Sequence, residues 1–286
     1  MIQITTSYVE NIITARPKDM HKGQAGRVLF IAGSKGMAGA AVLSARGALY
    51  SGAGLVKVSV PDELFPILQI SVPEAMCISR EEAAKADLGV YDAICIGPGL
   101  GVSEGSTRLI NRVITDYNGP LVIDADGINC LCKYDVCGKV FEQIRNRGSA
   151  TVFTPHPGEA DRMLEAFGLE SCKVLGRETA ASLLAEKTGS IVLLKGVPTL
   201  IAAEGNLFEN PTGNPGMATG GSGDVLSGMI TSLLAQKHLT AAAVDRVCAA
   251  AFLHGLAGDI AAENIGEYGM TSADIADAVA AAFNAL

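Results

Sequence analysis

The run from Asn210 to Gly228, NPTGNPGMATGGSGDVLSG, sets several glycines directly before an acidic residue and a long apolar segment. Gly220, Gly221, Ser222 and Gly223 can turn tightly and aim bare amide N–H groups at one point, and a helix starting near Asp224 adds the positive end of its dipole there. Such an arrangement is suited to holding a phosphate. A carboxylate repels phosphate, so Asp224 in this position reads as a base that deprotonates a hydroxyl about to attack phosphorus. The competing account is a capped helix start, which Ser and Asp also favour, but the density of glycine speaks for the phosphate site.

The elements that must position this run are legible as apolar segments of strand length at 28–32, 55–60, 93–96, 121–123, 151–153 and 191–194. They are continuous rather than alternating, which suits strands covered on both faces. Helical patterns lie between them at 39–51, 104–116, 138–147, 158–167 and 176–188, and three more close the chain at about 223–236, 240–262 and 272–284. Strand followed by helix, repeated, predicts a mainly parallel sheet in a three-layer α/β/α sandwich. The segment VPTLIAAEGNLFEN predicts a hairpin turning at Glu204-Gly205-Asn206, which adds an antiparallel pair. No linker-like segment divides residues 1–286, so one domain is expected.

In open α/β sheets ligands sit beyond the carboxyl ends of the strands. Polar or glycine-rich turns follow the strands here at Gly33-Ser34-Lys35-Gly36, Gly97-Pro98-Gly99-Leu100-Gly101, Asp124-Ala125-Asp126-Gly127, Thr154 to Glu159 and Lys195-Gly196, and together they predict one cleft. Gly97, Gly99 and Gly101 resemble the start of a dinucleotide fingerprint with Asp124 as its ribose acid, but Val102 stands where the third glycine is needed. The turn therefore reads as a place where a ligand approaches the backbone. No P-loop motif is present. His156 between two prolines, with Glu159 three residues on, sits on a rigid turn entering a helix, although Glu159 also fits as a first-turn acid favoured by the dipole. Lys195 ends IVLLK and brings a cation to the same edge. Arg46, Lys57 and the segment Arg16 to Gly23 are further sources of positive potential.

Composition bounds the remaining possibilities. A net charge of −8, no Trp and no basic stretch argue against nucleic acid. The N-terminus has no basic region followed by an apolar stretch, and Asp245, Arg246 and His254 interrupt the Ala-rich segment after Thr240, so a cytoplasmic, non-membrane protein is expected. The seven cysteines are odd in number and scattered, consistent with reduced thiols. Cys130, Cys132 and Cys137 cluster without a nearby histidine, which leaves a zinc site incomplete.

The segments RPKDMHKGQAGRV, GPGLG, DADGIN, TPHPGE, KGVPT and NPTGNPGMATGGSGDVLSG, in this order over nearly the whole chain, resemble the NAD(P)H-hydrate dehydratases, a branch of the ribokinase-like superfamily. The resemblance implies an ADP- or ATP-dependent dehydration of the S-form of NADHX and NADPHX back to NADH and NADPH, with Mg2+ as cofactor. It implies that Asp224 takes the proton from the ring hydroxyl while the amides of Gly220, Gly221, Ser222 and Gly223 hold the developing charge. Ala40, Gly101, His156 and Asp224 resemble the hydrate-binding residues, and Lys195, Gly196, Val197, Pro198 and Thr199, with Gly223, the nucleotide-binding ones. Met37 stands where many relatives have Tyr. Kinases of the superfamily often carry Asn-x-x-Glu near the phosphates; His156 and Glu159 share that spacing, which makes Glu159 a candidate for holding magnesium through water. The resemblance implies a homo-oligomer, with a tetramer favoured, and the epimerase domain fused in many relatives is not seen here, which points to a separate epimerase as functional partner. A small-molecule kinase of the same superfamily, acting for example on a thiamin-precursor alcohol, is the nearest rival. A non-catalytic nucleotide sensor is the rival from a different class, and Asp224 weighs against it.

Overall fold

The computed structural model describes residues 1–134 and 139–286. Among these, ten strands form one sheet: β1 (Ile2–Gln3), β2 (Arg27–Ile31), β3 (Leu55–Ser59), β4 (Met76–Ile78), β5 (Ala93–Ile96), β6 (Leu121–Ile123), β7 (Thr151–Phe153), β8 (Ile191–Leu194), β9 (Thr199–Ala203) and β10 (Asn206–Asn210). The helices, in chain order, are α1 (Thr6–Glu10), α2 (Ala38–Tyr50), α3 (Phe65–Ser71), α4 (Arg80–Lys85), α5 (Glu104–Asp116), α6 (Asp126–Tyr134) and α7 (Lys139–Arg145). They continue with α8 (Pro157–Ala166), α9 (Cys172–Leu175), α10 (Arg177–Thr188), α11 (Ser222–Ala235), α12 (Ala243–Ile265) and α13 (Ser272–Asn284).

The strand order is β1-β10-β9-β8-β7-β6-β5-β2-β3-β4. Pairing is parallel except where β9 meets β8 and β10, so one antiparallel strand lies near one edge of the sheet. Its hairpin turns through Glu204 and Gly205, both at positive φ, as a two-residue turn in a right-twisted ribbon requires. The apolar strands alternate between two cores. Val28, Phe30, Val58 and Cys95 pack on one face against α2, α11, α12 and α13, while Leu29, Ile31, Ile94 and Ile96 pack on the other against α5, α6, α7, α8 and α10. Burial on both faces is why these strands read as unbroken apolar runs.

From β2 the chain steps outward to β3 and β4, then returns to β5 and runs the other way to β8. The switch point therefore lies between β2 and β5, and there the Gly33 amide donates to the Pro98 carbonyl at 2.7 Å. The five turns expected to share an edge follow β2, β5, β6, β7 and β8, which are consecutive and parallel neighbours.

Three expectations shift. The segment read as a turn at Asp124 to Gly127 runs directly into α6, a helix too short for its period to stand out in the sequence. The helix expected at 240–262 is displaced to Ala243–Ile265. The residues before it are held in a turn, with the Arg246 guanidinium donating to the carbonyls of Leu239 and, at 2.9 Å, Ala241. Of the cysteine cluster, Cys130 is buried and Cys132 half-buried, and Cys137 lies outside the described residues. Among the described residues no helix is long and apolar enough to cross a membrane.

Helices α2 and α11 lie very close. A Cβ on Gly228 would strike the Ser44 carbonyl, and one on Gly47 the Val225 carbonyl, so the two backbones approach through glycines. The N-terminal ends of this pair carry Ala40 and Asp224 to the same side of the molecule.

Candidate active site

Lys195, delivered by the end of β8, is the centre of the site. Its ammonium lies 2.9 Å from Asp124 Oδ1 at the end of β6 and 3.9 Å from Glu159 Oε2 on the first turn of α8. Asp124 is 1% exposed, and its oxygens also accept from Ser227 Oγ at 2.5 Å and the Ala125 amide at 2.9 Å. A carboxylate this deeply buried persists because each oxygen has a partner. Burial works against the charge on Lys195, but Asp124 and then Glu159 outweigh it, and the net effect holds the ammonium above the ordinary lysine range.

The glycine loop faces that ammonium: a Cβ on Gly223 would stand 3.3 Å from Lys195 Nζ. The loop enters α11 through Gly221 at φ 96°, where a side chain would collide with Leu43 and Ser272. Two helices pin it from behind. Ser272 Oγ donates to the Gly220 carbonyl at 2.9 Å, and His254 Nε2 donates to the Ser222 carbonyl at 3.0 Å. Burial pushes the His254 imidazole down to about 4, so it donates this bond as a neutral ring.

Asp224 follows on the first turn of α11, half-buried, with no hydrogen-bond donor among the described residues reaching its carboxylate. Burial, reinforced by the charge of Asp124, raises it to about 7 against the pull of Lys195. A carboxyl group poised near neutrality and not spent on other bonds is equipped to accept a proton.

His156 caps α8. The Gly158 amide donates to its Nδ1 at 3.0 Å, which leaves Nε2 as the donor toward Glu159 Oε1 at 3.2 Å. Glu159 Oε2 in turn accepts the His156 amide at 2.9 Å, completing a capping box. Burial raises the Glu159 carboxyl, although Lys195 opposes the shift. The structural account of Glu159 as a helix-start acid therefore holds, beside its contact with the Lys195 ammonium.

Ala40 lies in the first turn of α2, and a Cβ on Gly99 would stand 2.8 Å from the Ala40 Cβ, so the start of α2 and the turn after β5 touch here. The Gly101 amide donates to Asp126 Oδ2 at 2.8 Å, and Gly97 passes so close to the Asp124 carbonyl that a side chain there is excluded. Ala125 between these acids holds φ 49°, a conformation non-glycine residues adopt only where the surroundings enforce it. Thus Ala40, Gly101, Asp224, Lys195 and Gly223 converge on one edge. The other basic candidates stand elsewhere. Arg16 donates to the Gly52 carbonyl at 2.6 Å beyond the far end of α2, Arg46 to the Ser71 carbonyl at 3.3 Å, and Lys57 lies over the Tyr91 ring.

The sequence offers Asp124 only as the ribose acid of an incomplete fingerprint, and carries no signal for Ser227, Asp126 or Arg80. Arg80 donates to the carbonyls of Ala32 at 2.9 Å and Gly33 at 2.6 Å, bracing the turn after β2 from a helix far away in sequence. No local pattern signals that bond.

Among the described residues no group of three or more His, Cys, Asp or Glu side chains is placed to hold a metal ion. The Glu159 and Asp124 oxygens already accept protein donors. This donor set fits a magnesium ion carried on phosphate oxygens and water, touching the protein through one or two carboxylates, rather than an all-protein cage.

Known proteins place the chain. The profile of the NAD(P)H-hydrate dehydratase family matches residues 28–281. An ADP-dependent (S)-NAD(P)H-hydrate dehydratase of Neisseria meningitidis is 36% identical over 276 residues, covering 94% of this chain and 88% of that protein. The chain spans about half the length of the bifunctional NAD(P)H-hydrate repair enzymes it also matches. A ribokinase-like superfamily protein of Enterococcus faecalis superposes with a TM-score of 0.85 at 30% identity, covering 99% of this chain and 95% of that one. The ADP/ATP-dependent NAD(P)H-hydrate dehydratase of Bacillus subtilis co-crystallised with ATP and Mg2+ gives a TM-score of 0.85 at 29% identity, covering 98% and 97%.

Proposed function

This chain belongs to the NAD(P)H-hydrate dehydratase family, and we propose that it restores NADH and NADPH from the S-forms of NADHX and NADPHX at the expense of ADP or ATP. The observation that carries the reading is Asp224, a half-buried carboxyl raised to about 7 at the start of α11, directly behind a glycine loop that faces the Lys195 ammonium.

Asp224 takes the proton of the ring hydroxyl, and the oxygen attacks the terminal phosphorus of the nucleotide, breaking that phosphorus's bond to the bridging oxygen, which leaves with AMP or ADP. The amides of Gly220 to Gly223 and the helix dipole hold the negative charge that develops on the transferred group. Lys195, kept charged by Asp124 and Glu159, adds a cation on the same side. Once phosphorylated, the former hydroxyl leaves as phosphate with its bonding electrons as the ring nitrogen donates its lone pair. Loss of a proton from the neighbouring carbon then restores the double bond. On this reading Ala40, Gly101 and His156 contact the hydrate, and Lys195 to Thr199 with Gly223 contact the nucleotide. Glu159 would hold magnesium through water, and the ion would supply positive charge to offset that of the phosphate oxygens.

The test is the near-ultraviolet absorbance of the reduced nicotinamide ring, followed with the purified S-form hydrate and magnesium in the presence of ADP, ATP or neither. A rise that requires a nucleotide is expected. Phosphate transfer to another alcohol, with no rise in any cuvette, would replace this reading with a small-molecule kinase.

A further inference from the structure

Arg177, the first residue of α10, lies against the turn from Lys195 to Thr199. Its Nη1 donates to the Val197 carbonyl at 2.9 Å and its Nη2 to the Pro198 carbonyl at 2.6 Å. The carbonyls of Leu194 and Lys195 also lie 3.4 Å from Nη2. One guanidinium thus gathers four consecutive or near-consecutive carbonyl oxygens of a turn. Gly196 passes over it at φ 143°, and a Cβ there would sit 2.5 Å from Nη2, so the clamped guanidinium leaves room only for glycine at this position.

The planar trans peptide carries its C=O and N–H in opposite directions. With the Lys195 carbonyl drawn toward Arg177, the Gly196 amide must aim away from it, to the outer side of the turn. Neither the Gly196 nor the Val197 amide meets an acceptor among the described residues, whereas the Lys195 amide is taken by the Pro155 carbonyl at 2.9 Å. Two unspent amides on an exposed turn next to a half-buried ammonium make a donor set for the oxygens of a nucleoside di- or triphosphate.

We propose that Arg177 is a positioning residue for the nucleotide: by drawing in the Lys195 carbonyl it turns the Gly196 amide outward, and by holding the Val197 and Pro198 carbonyls it fixes the turn, while Thr199 Oγ1 takes the Gly196 carbonyl at 3.1 Å, the peptide partner of the Val197 amide. The inference rests on the assignment of this turn to nucleotide binding. Arg177→Lys would not preserve the clamp, because an ammonium cannot match the planar fork that spans the Val197 and Pro198 carbonyls.

The experiment compares native protein, Arg177→Lys and Arg177→Ala for ADP and ATP binding by calorimetry, and for KM and kcat at saturating hydrate. Expected is a nucleotide Kd and KM raised about tenfold or more in both variants, with kcat within about threefold of native, because Lys195, Asp224 and the glycine loop are untouched. Unchanged nucleotide affinity in both variants overturns the proposal, and so does a fall in kcat with KM unchanged. If native protein itself binds no nucleotide, it is the functional assignment of the turn that fails. Should the alanine variant not fold, the lysine variant, which keeps the charge, gives the decisive comparison.

Discussion

The Lys195 ammonium sits 2.9 Å from Asp124 Oδ1, joining residues 71 positions apart at the carboxyl ends of two strands separated in the sheet only by β7. The pair lies below the glycine loop, and Ser227 on α11 closes it by donating to the second Asp124 oxygen. The ion pair therefore connects the sheet to the helix that carries Asp224. Its arrangement makes the charge balance of the site depend on every member.

Removing Lys195 leaves that balance broken. Lys195→Met should lower stability by about 3 kcal/mol, because Asp124 and Glu159 become buried acids without their cation. Adding Asp124→Asn to this variant should recover part of the loss, so the double-mutant cycle in urea shows strong coupling. Additive losses would mean that the pair contributes no mutual stabilisation.

Asp224→Asn should reduce turnover about a thousandfold while nucleotide binding is kept. Native kcat/KM should rise with pH to a plateau, with its midpoint near the value of about 7 that the buried carboxyl holds. The same shift predicts stability. The folded state keeps the Asp224 proton when the unfolded chain has already lost it, so between the ordinary carboxyl value of 3.8 and about 7 native stability falls as pH rises. Thermal melts of the Asn variant should thus exceed native ones by a margin that opens across that window and stays constant above it.

His254 predicts the opposite slope. Its ring is held neutral down to about 4 by burial, whereas the unfolded chain takes up a proton near 6.5, so stability falls as pH drops from 6.5 toward 4. His254→Gln, able to keep a donor on the Ser222 carbonyl, should flatten this acid loss. A variant that retains the native acid profile would remove His254 as its source.

Two glycines of the same run should behave differently on substitution by alanine. At Gly228 a Cβ would strike the Ser44 backbone, and Gly228→Ala should cost about 2 kcal/mol as α2 and α11 are forced apart. At Gly220 nothing stands within 4 Å and φ is not in the left-handed region, so Gly220→Ala should leave the melting temperature nearly unchanged. A loss of turnover in that variant would then report on phosphate binding rather than on folding.

The architecture and the candidate base could be read from the residues alone. Unbroken apolar strands such as AICI and IVLL, interleaved with helical periods, specify strands buried on both faces, and that pattern is local enough to read directly. The glycine run before Asp224 was equally legible, because conformational freedom and helix dipole act over neighbouring residues. Folding supplied the rest. Asp124 looked like a failed ribose acid until β6 and β8 placed it beside Lys195, and Arg177, Arg80 and His254 carried no local signal because their partners are carbonyls brought near only in the folded chain. Backbone carbonyls are the same at every residue. Which of them a distant side chain will hold is set by the packing of the layers, and the electrostatics that raise Asp224 follow from that packing and from burial, neither of which exists in the chain before it folds.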